Sequence, residues 1–516
     1  MRTDSDLAEA EVRLDAALAL ARVGDFVAAR ALAETQVNAF PDELTVLRKA
    51  GAVLRACGDH AAALVLFRRA LAAQQIDIAS EYSALGETEE ALRWFRQAIV
   101  SHPDHAAAYL AAAKLERELG RSWNGLLLLE SLYERLPQDV ESNAVRTEFL
   151  RHHAEHPEVA REIGSETNDW TVHFRHMRAL TEIGDFRSVL AHGGRLTSAT
   201  GSDLAFHAAV FSGHARLALT VDSVRSAAKA AAMERSPSWL DTERLAIRLR
   251  HAISDRVPLS MIRLGDGEAR FLALSDPWAR GVISEYEAKC IVSVIWRNWF
   301  GQPIDAVDPV DLAVLSREFT GALADADILG VSTAQRYERD TFHRGYLALL
   351  ERAVDKVMAD RPGVSLTHAF ANILLHRRSP FYAELLSGLD FLGCISPHPG
   401  LAARLAQYHG IAEYREYLVP GEARLPDAAQ GRAQGPHFPD RFHAIMAELR
   451  VPRPGAVFLV AAGLLGKIYC HRIRQLGGIA IDVGSVVDAW MGFATRPGLY
   501  HERAKWVLPE KQTAPG

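Results

Sequence analysis

The residues best suited to chemistry lie in 259–274, LSMIRLGDGEARFLAL, where an apolar run reaches Arg263 and Gly265-Asp266-Gly267-Glu268 follows. A strand that runs into a glycine-flanked Asp-x-Glu holds two carboxylates at its C-terminal end, with backbone free to approach a ligand closely. Hard divalent cations such as Mg²⁺ or Mn²⁺ take one or two carboxylates and leave their other positions to phosphate oxygens and water. The same residues also suit a plain turn, because Asp-Gly is a common turn pair.

Other polar clusters fall where further strands are predicted to end. In 457–483, VFLVAAGLLGKIYCHRIRQLGGIAIDV, a buried strand ends at Ala462-Gly463, and the chain turns through Leu464-Leu465-Gly466-Lys467. A helix then runs to Gln475 before Gly477-Gly478 breaks it. Gly463 and Gly466 would bring backbone N–H groups and a helix N-terminus toward a phosphate. Lys467 is either a diphosphate partner or a solvated lysine of the first turn. The spacing is neither a Walker A loop nor the G-x-G-x-x-G fingerprint. Asp482, Gly484 and Ser485 close the next strand, and Asp488 follows one helical turn later. Either carboxylate is a candidate base for an acceptor hydroxyl, or a cap for the following helix. In 328–337, ILGVSTAQRY, Ser332, Thr333 and Arg336 suit a phosphate or sugar, though an N-cap accounts for the two hydroxyls equally well. His398, between FLGCIS and LAARLAQYHG, is a further candidate contact, and Pro436-His437-Phe438-Pro439-Asp440-Arg441 reads as a stiff, shaped loop.

These groups need elements to hold them. Strand-like runs at 259–264, 328–332, 391–396, 414–419, 456–461 and 479–483 alternate with amphipathic stretches at 341–359, 401–409 and 465–475. Such alternation predicts an α/β domain, a mainly parallel sheet covered by helices, with ligands at the C-terminal strand ends. Residues 238–253 read as a helix leading into it.

The first half follows another rule. Gly24-Asp25, Gly58-Asp59, Gly86-Glu87 and Gly184-Asp185 recur, Gly120 keeps the glycine, and the steps from Gly24 to Gly58 and from Gly86 to Gly120 are 34 residues. Pro41, Pro103 and Pro137 each follow a glycine by 17 residues. Ala91, Phe95 and Ala98 after Gly86 match Ala63, Phe67 and Ala70 after Gly58: small residues let two helices approach, an aromatic plugs the gap, and proline ends the second helix. This resembles the tetratricopeptide repeat (TPR) over about 14–140, with looser copies to about 232. The step from Gly58 to Gly86 is only 28 residues, one shortened unit. The expected organisation is a TPR-like helical solenoid over 1–235, then a Rossmann-like α/β domain over 236–516. A repeat array of this kind binds a peptide or another subunit in its groove, or serves only to rigidify or dimerise the chain.

Composition narrows the function classes. Against 58 Lys and Arg stand 64 Asp and Glu, a net charge of −6, which points away from nucleic acid or an anionic membrane as the main partner. Cys57, Cys290, Cys394 and Cys470 lie far apart, without C-x-x-C or zinc spacing, and read as reduced thiols of a cytoplasmic protein. The start, MRTDSDLAEAEVRLD, lacks the apolar core of a signal peptide, and the longest apolar run, 456–465, is about half of a membrane span. The expectation is a soluble cytoplasmic chain with no membrane span.

Arg263-x-Gly265-Asp266-Gly267-Glu268 near one end of the second domain, with Gly463-x-x-Gly466-Lys467 and Ala480-Ile481-Asp482-Val483-Gly484 near the other, resembles the GT-D-type glycosyltransferases over about 238–496. The resemblance implies a nucleotide-sugar-binding fold in which Asp266 and Glu268 serve a Mn²⁺ or Mg²⁺ ion and the donor diphosphate. It implies sugar transfer from a nucleotide donor, UDP-linked by preference, to a glycan or protein acceptor. Donor and acceptor choice would lie in loops such as 332–346 and 420–439. Two other readings stand beside it: a non-catalytic repeat scaffold whose α/β domain binds a nucleotide, and a metal-independent transferase such as a methyltransferase.

Overall fold

The computed structural model describes residues 4–41, 43–136, 140–155, 170–196, 202–378, 381–423, 436–493 and 495. The chain forms two compact units, Met1–Ala179 and Leu180–Gly516. This division falls ahead of the expected 235/236 boundary. The sequence boundary marks where a repeat pattern ends, whereas compactness follows packing: helices Ser202–Ala218 and Ser223–Glu234 pack against helices of the α/β part.

The first unit consists of helical repeats. Its helices are Asp4–Arg22, Phe26–Ala39, Leu44–Ala56, His60–Ala84, Thr88–Ser101, Ala106–Glu118, Ser122–Arg135 and Val140–Glu155, with the first part of Trp170–Ile183. The recurring glycine has a local cause. Gly24, Gly58, Gly86 and Gly120 all have φ between 75° and 91°, where a side chain is strained. The acid after it starts the next helix: Asp25 and Asp59 accept from the backbone N–H of Ala28 and Ala62. The shortened step has a cause too. Between Gly58 and Gly86 one continuous helix of 25 residues replaces the expected helix–turn–helix. Phe67 plugs a gap as expected, its ring so close to Gly51 that a Cβ there would lie 2.8 Å away. Pro137 lies outside the described residues, as do 424–435 of the 420–439 loop and Arg496 at the end of the resemblance.

In the second unit eight strands form one sheet: β1 (Trp239–Leu240), β2 (Leu259–Arg263), β3 (Ile328–Val331), β4 (Ser365–His368), β5 (Phe391–Ser396), β6 (Glu413–Leu418), β7 (Val457–Val460) and β8 (Ile479–Asp482). Their order is β1-β4-β3-β2-β8-β7-β5-β6, and every pair is parallel. Both faces are covered, so alternate residues feed two cores. Ile262, Leu329, Phe458 and Ala480 enter one, while Met261, Ile328, Leu459 and Ile481 enter the other. Residues 238–253 are not one helix. Trp239–Leu240 extends the sheet beside β4, and helix Thr242–Ser254 starts only after Asp241, whose carboxylate caps it through Arg244 N–H. β4, SLTH, escaped the sequence reading because only Leu366 among its four residues is apolar.

The chain runs from β2 to β3 on one side and reaches β8 from β7 on the other, so the C-terminal ends of β2 and β8 flank the switch point where α/β sheets bind ligands. Among the described residues no single helix is long and apolar enough to cross a membrane; 203–218 and 223–234 pass that test only as a bent pair.

Candidate functional site

β2 ends at Arg263, Gly265 is extended, and helix Asp266–Ser275 begins at once. Asp266-Gly267 is therefore the first turn of a helix, not a reverse turn, and the two acids are not strand-end neighbours. Residues two apart on a helix do not face each other, and the two carboxylates part accordingly. Glu268 turns inward, accepting from its own Gly265 N–H at 2.9 Å and pairing with Lys467 Nζ at 2.8 Å. Asp266 stays 46% exposed, 3.8 Å from both Arg336 Nη2 and His343 Nε2. Partial burial opposes its charge, but His343, Arg336 and Arg270 hold its pKa below the usual carboxylate value. Gly267 accepts the indole of Trp299, since a Cβ there would lie 2.4 Å from the ring.

Lys467 is neither solvated nor free for a diphosphate. One turn into helix Gly463–Gln475, it is buried, ion-paired with Glu268 at 2.8 Å and Asp482 at 3.0 Å, and donates to the Gly463 carbonyl at 3.2 Å. Burial alone would lower its pKa, yet Asp482 and Glu268 outweigh it and the pKa lies above the ordinary lysine value. Asp482 in turn accepts from Arg263 Nη2 at 2.9 Å, while Arg263 also donates to the carbonyls of Asp482 and Ala369. The result is a buried row of alternating charge, Glu268–Lys467–Asp482–Arg263, that ties together the ends of β2 and β8 and the helices after β2 and β7. Arg263 and Lys467 hold Asp482 ionised against its burial, its pKa below the usual value, and it lies ion-paired between these two buried cations, so it is not placed as a base.

Asp488, on helix Val486–Trp490, has a partner from another strand end. His398, past β5, meets Asp488 Oδ1 through Nε2 at 2.6 Å and stacks on Phe493. Thr495 donates to Asp488 Oδ2 at 2.5 Å. Neither residue alone signalled the pair, because 90 positions separate them.

A cavity of about 600 Å³ opens over these groups, within the range of small-molecule sites. Arg263, Gly265, Asp266, Gly267, Glu268, Arg336, Gly463, Lys467, Asp482 and Asp488 all border it. Ser332, Thr333 and Gly466 do not. Ser332 is buried behind β3, and the helix start at Ala334 is occupied by the Glu234 carboxylate, which accepts its N–H at 2.6 Å. Gly466 bonds back to the Ala462 carbonyl within its own helix. Arg336 lies between Asp340 and Asp266. Trp299, Phe370 and Asn372 also border the cavity, and no motif marked them. His437 does so too, from the helical turn His437–Arg441 that stands where a shaped loop was expected, and pairs with Tyr469 OH at 3.0 Å.

As a metal site the constellation is sparse. Among the described residues no three His, Cys, Asp or Glu side chains converge to hold an ion. Asp266, ionised and partly exposed, would offer one carboxylate to a hard cation that draws its remaining ligands from phosphate and water, with Arg336 and His343 each 3.8 Å from its oxygens. Glu268, with both oxygens engaged by the chain itself, offers none unless Lys467 leaves it.

Burial drives His437 and His214 to pKa values of about 3, so both are neutral in the fold. Their stabilising contribution is fully present above the unfolded value of about 6.5 and is lost as pH falls toward 3. Each should cost roughly 2 kcal/mol at pH 5 relative to pH 6.5. Urea unfolding of the wild type and His437→Gln at both pH values checks this: the variant should lose less stability on acidification. Equal losses would mean that His437 takes up its proton without penalty.

Residues 240–417 match the GT-D-like family model, a GT-D fold-like domain, and this part of the chain is GT-D-like. The match includes the Arg263–Glu268 segment, Arg336, Asn372 and His398 and stops short of Lys467, Asp482 and Asp488. The chain is also similar to the crystal structure of a tetratricopeptide repeat protein from Parabacteroides merdae ATCC 43184, at 19% identity over 43% of this chain and 91% of that one, with a TM-score of 0.16. No curated protein matches the chain.

Proposed function

We propose that the second unit is a glycosyltransferase that moves a sugar from a nucleotide-diphosphate donor, UDP-linked by preference, to a hydroxyl of a glycan or protein acceptor. One observation carries the reading: a cavity of ligand size lies at the switch point of an all-parallel sheet, bordered by Asp266, Arg336 and Asp488, in a domain whose first part is GT-D-like. In this reading the bond between the sugar C1 and the β-phosphate oxygen breaks, the acceptor oxygen bonds to C1, and the acceptor proton passes to Asp488. Arg336 and the start of helix Gly463–Gln475 face the diphosphate. Asp266 would hold Mn²⁺ or Mg²⁺, which supplies Lewis-acid neutralisation of the leaving phosphate. Glu268 fixes Gly265 and Lys467 beneath it. The helical repeats then dock the acceptor, a protein partner or a second copy of the chain.

Release of nucleoside diphosphate from a panel of nucleotide sugars, with Mn²⁺, Mg²⁺ or EDTA, tests this. Asp266→Ala should lower metal-dependent release by about 10²-fold, as for loss of another preorganised electrostatic group. Nucleotide binding without release under any acceptor would favour the scaffold reading, and release unaffected by EDTA would exclude the metal role of Asp266.

A further inference from the structure

Asn372 lies just past β4, on helix Ala371–Arg377, and is 1% exposed. Its Nδ2 donates to the Val483 carbonyl at 2.8 Å. A carbonyl only accepts, so this bond fixes which way the amide points and directs Oδ1 elsewhere. Oδ1 has no hydrogen-bond partner, although Asn372 borders the cavity. Arg263, which with Asn372 borders the space that a Cβ at Gly484 would take, gives its N–H groups to Asp482 and Ala369. A buried acceptor held in place without a donor is costly, and a group from the cavity that brings a proton, a ligand hydroxyl or a water, completes it.

The surroundings decide which ligand group that is. Gly484, Ser485 and Asp488 border the cavity on the β8 side, where Asn372 is anchored. Phosphate oxygens carry no proton, and both Oδ1 and the Asp488 carboxylate repel them. A ring hydroxyl carries a proton and tolerates both neighbours. Resting on the transfer reading above, we propose that Asn372 Oδ1 accepts a hydrogen bond from a ring hydroxyl of the sugar being transferred, and selects the donor by that hydroxyl.

Calorimetric titration of the full chain with UDP, UDP-glucose, UDP-galactose and UDP-N-acetylglucosamine, for wild type and Asn372→Ala, tests the assignment. The variant should bind the preferred sugar nucleotide about tenfold or more weakly and UDP within about twofold of wild type. Equal losses for UDP and its sugars would assign Oδ1 to the nucleotide or to the fold and overturn the proposal, as would no loss at all. Monodeoxy analogues of the preferred donor on the wild type need no substitution. Removal of one hydroxyl should cost about tenfold and the others little, and a flat series overturns the proposal whether or not the variant folds. A wild type that binds none of the four nucleotides removes the UDP-linked form of the transfer reading, and this proposal with it.

Discussion

Lys467→Met should destabilise the second unit by about 3–5 kcal/mol, the usual cost of removing one member of a buried ion pair. The lysine carries the only positive charge that faces Glu268 among the described ion pairs, and one of two that face Asp482. Methionine fills the same volume, so the loss is electrostatic rather than a cavity. Two carboxylates would be left in a buried setting, one with Arg263 and one with the Gly265 N–H alone. Adding Glu268→Gln should recover part of the loss, because the amide needs no counter-charge; with Glu268→Gln alone as the fourth corner, the cycle measures the coupling. Urea unfolding at pH 7 gives both numbers. A loss below about 1 kcal/mol would mean that the row is solvated, as an exposed pair is.

Asp488→Asn should lower turnover by about 10²–10⁴-fold, the range for loss of a general base, with nucleotide-sugar affinity within about twofold of wild type. The amide keeps the shape and can still meet His398 and Thr495, but it cannot take the acceptor's proton. Of the two carboxylates considered as base from sequence, only this one is not locked between buried cations. His398 acts through Asp488, so His398→Gln should reduce turnover less and shift the pH–rate profile. Steady-state rates with a fixed donor and varied acceptor separate the cases: a rise in KM at unchanged kcat for Asp488→Asn would make the residue a binding contact instead.

The strands that hold these groups were readable because a parallel sheet covered on both faces writes each strand as a short apolar run, and five of the eight showed it, while the edge strand β6 was read despite Arg415 and Glu416 within it. β1 and β4 did not: two residues are too few for a period, and one leucine among four gives no apolar run. In the first unit the Gly-Asp repeat was legible because a left-handed glycine and an Asp cap are local demands. The loss of a turn inside 60–84 left only an irregular spacing as its trace.

The sequence by itself determined the two kinds of architecture, the strand ends that border the cavity, and the cluster of acidic and basic residues found there. Periodicity, caps and glycine turns act over a few residues and can be read one segment at a time. The tertiary structure decided which of those groups remain available to a ligand. Asp482 and Arg263 are 219 positions apart and meet only because β8 and β2 are neighbours in register. That meeting, with Lys467 arriving from the helix after β7, occupies Glu268 and Asp482 and leaves Asp266 and Asp488 at the cavity. Side-chain charges pair across strands according to sheet order, and no local pattern carries that order.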